Sequence, residues 1–97
     1  MDYQKIILVG NTTDVPKVQK TKDKMAYADF IVAVNRNKEE ADFFPVRVFG
    51  KLTETAAKIN KGAKVLVEGK VEISRFTPEL GESRTYIRVL ANTIRFV

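Results

Sequence analysis

The stretch Asp42–Leu52, DFFPVRVFGKL, carries two patterns at once. Successive side chains of an extended strand point to opposite faces, so Phe44, Val46 and Val48 look one way and Phe43, Pro45, Arg47 and Phe49 the other. The first set is a core face. The second places a guanidinium between two phenyl rings, which is costly to bury, and two exposed Phe are costly as ordinary surface. Interleaved rings and cations suit an unpaired nucleic acid strand, whose bases stack on aromatic faces while its phosphates need cations nearby. The same residues also fit a Phe pair buried beneath a neighbouring subunit.

Working outward, Ala26–Asn35 (AYADFIVAVN) alternates in the same way. Ala28, Phe30, Val32 and Val34 share the core side with Ala26, and Tyr27, Asp29, Ile31, Ala33 and Asn35 lie opposite. The polar link Arg36–Ala41 is too short for a parallel crossover, so these two strands form an antiparallel hairpin. Pro45 cannot donate a ladder hydrogen bond and predicts an edge position or a bulge. Upstream, Lys5–Asn11 (KIILVGN) reads as the first strand, with a turn or bend at Gly10–Asn11. Beyond Pro16, the lysines Lys17, Lys20, Lys22 and Lys24 lie on a strand end and hairpin loop, where they can meet phosphates or simply face water.

Downstream, Thr53–Lys61 is the one helical stretch, with Leu52, Ala56 and Ile59 as its apolar stripe and Gly62 as its stop. Such a helix would plug the open end of a small barrel. Lys64–Phe76 alternates again, and Gly69 predicts a bend or bulge. Thr77–Ser83 joins this strand to the last one as a hairpin, with Arg75 and Phe76 at its base as a second cation and ring pair. The final run places Ile94 and Phe96 in the core.

Composition excludes much. With 97 residues there is room for one domain, spanning 1–97. The 17 Lys and Arg against 12 Asp and Glu give +5, which favours a polyanionic partner but also suits a merely soluble domain. There is no His and no Cys, which removes the usual zinc sites, His-based triads and most acid and base designs, so an enzyme, a cofactor and a metal are not expected. Glu39, Glu40 and Asp42 are the densest carboxylates, and adjacent loop carboxylates ordinarily face water. No apolar run is long enough to span a membrane and no signal peptide pattern opens the chain, so a cytoplasmic, nucleoid-associated protein is expected.

Five strands, a helix between the third and fourth, and rings with cations on strands two and three and the long hairpin predict an all-β OB-fold, a five-stranded Greek-key barrel. KIILVGN, DVPKV, ADFIVAV, VFGKL, NKGAKVLVEGKVE and RFT, in this order, resemble the bacterial single-stranded DNA-binding protein family from Lys5 to Val97. The resemblance implies a homotetramer that wraps single-stranded DNA without strong sequence preference in replication, recombination and repair, with a dimer as the alternative assembly. It also implies stacking at Phe43, Phe49 and Phe76, with Lys51, Lys61 and Arg75 at basic positions that accompany the strand. Arg47, Lys20, Lys22 and Lys24 join them as phosphate contacts on the residue pattern alone.

Asn37 and Lys38 stand where some of the family place a further Trp, so that platform is expected to be missing. The acidic tip that usually follows a disordered linker in the family does not follow Val97, so recruitment of repair enzymes through a tail is not expected. Two rivals share the architecture. A primosomal OB-fold replication protein, usually dimeric, would act mainly as a protein bridge, and a pure interaction module would bury the three Phe against a protein. RNA in place of DNA is chemically close.

Overall fold

The computed structural model describes residues 1–77, 79 and 81–97. Six strands and one helix follow in order: β1 (Ile6–Thr12), β2 (Lys17–Lys20), β3 (Ala26–Asn35), β4 (Ala41–Phe49), α1 (Leu52–Ala56), β5 (Lys64–Phe76) and β6 (Arg84–Phe96). The strands run β1-β5-β6-β4-β3-β2 across the sheet, and a further pairing of β1 with β3 closes five of them into a ring. All pairings are antiparallel except β4 with β6. This is the expected barrel with the helix where the OB-fold has it.

β1 and β2 are two halves of one bent strand along β3. Thr12 faces Val32 and Lys17 faces Asp29, so five steps on one chain are matched by three on the other. The slack lies in 13–16, where the Asp14 carboxylate accepts the Val15 N–H at 2.8 Å and Pro16 offers no donor. No turn forms at Gly10–Asn11; β1 runs through to Thr12. Gly10 is there for close approach, since a Cβ at this position would lie 2.3 Å from the Ala33 carbonyl oxygen.

The core lies inside the ring, and alternation sets it. Leu8, Phe30, Val32, Val46, Val48, Val65, Val67, Val89 and Ile94 all point inward and are buried. Ala56 and Ile59 close one end beneath α1, as the apolar stripe predicts. The helix itself is shorter than Thr53–Lys61. After Ala56 the N–H of Lys58 bonds the carbonyl of Thr55 at 3.1 Å and that of Ile59 bonds Ala56 at 3.0 Å, a tighter spacing that drives Ile59 into the barrel. Gly62, at φ 79°, then turns the chain toward β1, and its N–H bonds the Thr12 carbonyl at 3.0 Å.

Of three further expectations, those at Pro45 and Gly69 hold in one form each and that at Phe96 does not. Pro45 makes no bulge: the β3–β4 register is unbroken through Ile31 and Pro45. On its other side β4 meets β6 only at Val46 and Arg47, so Pro45 sits where that edge is open and a missing N–H costs nothing. A bulge does occur at Gly69, but Glu68 pairs Thr93 and Gly69 pairs Ala91, so the extra residue is Asn92 of β6. Phe96 is not core. It sits on the last rung of the ladder, opposite the buried Val65, but its own ring is half exposed along a groove with Leu52 and Thr55.

Beyond the bulge, β5 and β6 continue as a two-stranded arm. The radius of gyration, 14.4 Å, exceeds the roughly 13 Å of a compact chain of this length. Thr77 and Ser83 hydroxyls meet at 3.1 Å near its tip, and positions 78 and 80 of the expected hairpin loop lie outside the described residues. No helix among the described residues is long and apolar enough to cross a membrane.

Candidate nucleic-acid interface

The outward side of β3 and β4 forms one column of paired residues. Tyr27 faces Phe49, Asp29 faces Arg47, Ile31 faces Pro45 and Ala33 faces Phe43. Phe43 is 63% exposed and Phe49 41%. The parallel pair Arg47 and Leu90 carries this face onto β6, whose Arg88, Tyr86 and Arg84 point the same way by alternation. Their partners on β5 are Glu72, Ser74 and Phe76, so Phe76 shares the face with Phe43 and Phe49. Phe76 is 56% exposed and Tyr86 53%.

Adjacent residues of a strand point to opposite sides, so Arg75 lies on the far face of the arm from Phe76. The cation across from Phe76 is Arg84. The expected lysines fall at the two ends of the β3–β4 column. Lys20 pairs with Ala26, whose carbonyl accepts the Gly50 N–H at 2.9 Å, so Lys20 and Lys51 flank the Phe49 end. Lys22 and Lys24 follow in the turn closed by Thr21, where the Lys24 N–H bonds the Thr21 carbonyl at 2.9 Å. Lys61 is at the other end: its loop is bonded to Thr12 and Asn11, and Asn11 shares a rung with Ala33 and Phe43. Among the described residues none of Lys20, Lys22, Lys24, Lys51 or Lys61 forms an ion pair.

Arg47 differs. Its Nε donates to one Asp29 oxygen at 2.7 Å and its terminal nitrogen to the other at 2.9 Å, and hydrogen bonding to Asp29 holds its guanidinium above the ordinary arginine value. The same guanidinium sits 4.6 Å from the centre of the Tyr27 ring. Tyr27 in turn lies 6.1 Å from Phe49, tilted by 42°, and its hydroxyl donates to Gln19 at 2.5 Å. Arg88 is likewise paired with Glu72.

Tyr27, Asp29, Arg84, Tyr86 and Arg88 are members of this face that the residue pattern did not single out. The signal was present for the first two. A hairpin that closes between Asn35 and Ala41 fixes every cross-strand partner, and with it Tyr27 beside Phe49 and Asp29 beside Arg47. At the hairpin tip, Asn37 accepts the N–H groups of Glu39 and Glu40, both at 2.9 Å, and Arg36 pairs with Glu40 and Asp42. The Glu40 and Asp42 carboxylates are thus engaged by Arg36, and no group of three or more that could hold a metal occurs among the described residues.

The model of the Single-strand binding protein family matches residues 3–97. The chain belongs to this family. The Single-stranded DNA-binding protein of Thermotoga maritima is 34% identical over 98% of this chain and 74% of its own length. Those of Wolinella succinogenes and Caldanaerobacter subterraneus are 30% and 31% identical, with this chain spanning 64% and 67% of their lengths. The Single-strand binding protein family is one of non-enzymatic DNA-binding proteins, in keeping with a chain that has neither His nor Cys.

Proposed function

We propose that this chain is one DNA-binding domain, residues 1–97, that covers and protects single-stranded DNA without strong sequence preference during replication, recombination and repair. The observation that carries it is one continuous sheet face with Phe43, Phe49 and Phe76 exposed and unpaired lysines at both ends. Bases stack on the three rings, and Lys20, Lys22, Lys24, Lys51 and Lys61 neutralise phosphates, with Arg75 doing so from the back of the arm. The family relationship supports the same reading, as do the names of the relatives.

Self-association into a tetramer completes the proposal. Ile7 and Val9 point outward on β1, opposite Glu68 and Leu66 of β5, and are exposed. Beside β1, the edge opposite β5 pairs with β3 at Asn11 and Thr12 and approaches it closely at Gly10, which leaves Ile6–Val9 as an open, apolar pairing edge. The protein works in the cytoplasm with the nucleoid. A titration against labelled oligo-dT and a matched duplex over a salt series tests the binding. Strong, salt-sensitive preference for the single strand is the expected result; equal weak binding to both would reduce the face to charge attraction.

A further inference from the structure

Arg47 is placed among the exposed rings, yet its Nε and one terminal nitrogen are held by Asp29 across the strand pair. Both Asp29 oxygens are engaged in a planar two-point contact, and the carboxylate faces Lys17 of β2 on its other side. One flank of the guanidinium is laid on Tyr27, whose hydroxyl is tied to Gln19, and Tyr27 supports Phe49. These contacts form a chain from β2 through β3 to β4, ending at the base-stacking ring.

We propose that Arg47 and Asp29 are positioning residues for single-strand binding: the pair clamps Tyr27 and so fixes the Phe49 platform, and Asp29 keeps the Arg47 charge from the phosphates. This rests on the binding function proposed above and deepens it. A phosphate approaching Arg47 would meet the negative charge of a carboxylate already held at 2.7 and 2.9 Å, which offsets the guanidinium's pull on it. Lys51, two residues after Phe49 in the chain and unpaired among the described residues, has no such competitor.

The test is the salt dependence of oligo-dT binding. A lysine that contacts phosphate lowers the log–log slope by about 0.7 when removed, and Lys51→Ala should do so. Arg47→Met, which keeps an unbranched side chain but removes the guanidinium that lies over Tyr27 and pairs with Asp29, should weaken binding several-fold at every salt concentration with the slope unchanged. Asp29→Asn keeps the shape and frees the guanidinium, so its slope should steepen by about 0.7. Arg47→Met on a Phe49→Ala background should cost little more, because the platform it holds is gone. In the free wild-type protein the Arg47 Nε–H should give a slowly exchanging NMR signal that Asp29→Asn abolishes and oligo-dT leaves in place.

A slope that falls by about 0.7 in Arg47→Met, or an Nε–H signal that moves on DNA addition as the Lys51 amide does, would make Arg47 a phosphate contact and overturn the proposal. An additive loss on the Phe49→Ala background would overturn it as well. If wild type shows no preference for oligo-dT over duplex, the binding function falls and takes this role with it. That outcome is read before any variant is compared, so the two failures are distinct.

Discussion

Phe43 is the most exposed ring of the interface at 63%, and nothing in the barrel needs it there. An exposed phenyl contributes little to folding, so its removal separates binding from stability in a way a core residue cannot. Phe43→Ala, and likewise Phe76→Ala, should weaken oligo-dT binding by about 1–3 kcal/mol while the thermal midpoint stays within a degree or two. Titration and a melting curve on the same sample check this; unchanged affinity would make that ring packing and not a platform. Gly69 is the opposite case. A Cβ there would lie 2.1 Å from the Leu90 carbonyl oxygen, a backbone atom that cannot swing aside, so Gly69→Ala should cost several kcal/mol in urea unfolding through overpacking at the bulge.

At the scale of elements, legibility followed one physical condition: a strand reads correctly where one face is buried and the other is not. β3 and β4 meet it, and their faces, hairpin and register follow from alternation and a short loop. Phe96 fails it, since alternation says which side a residue takes but not whether the core extends that far. The helix ends before its apolar stripe does, because three-residue hydrogen bonding after Ala56 keeps Ile59 inward without continuing the helix. Arg47 read as a free cation because its partner, Asp29, is 18 residues away and visible only once the hairpin register is worked out.

One local device had no sequence signal at all. Gln4 lies beyond the start of β1, and its side-chain amide donates to the Val71 carbonyl at 2.8 Å while its oxygen accepts the Val71 N–H at 2.9 Å, copying the next rung of the β1–β5 ladder. It ties down the root of the arm where β1 no longer covers β5. Gln4→Ala should speed amide exchange at Val71 and lower stability by about 1 kcal/mol, as expected for two solvent-accessible bonds. Exchange at Val71 as slow as in wild type would show that the arm does not depend on this contact.

For the whole molecule the question is how many copies act together. A stable interface buries on the order of 800 Å² per partner, and an apolar strand edge left open in water is a template for pairing with another chain. β1 offers such an edge at Ile6–Val9, with Ile7 and Val9 exposed on the outward side, while Phe43, Phe49 and Phe76 lie on β4 and the arm. Assembly through β1 therefore leaves Phe43, Phe49 and Phe76 open, and a tetramer would present several platforms to one strand, raising its hold on long DNA through effective concentration. Sedimentation of the wild type should give about four times 11.0 kDa. Val9→Lys puts a charge into the apolar patch without touching the core, so it should lower the mass with the monomer still folded, and weaken long oligo-dT far more than a strand short enough to occupy one chain. A mass of about twice 11.0 kDa for the wild type would favour a dimeric bridge over a wrapping tetramer, and a Val9→Lys variant of unchanged mass would move the interface off β1.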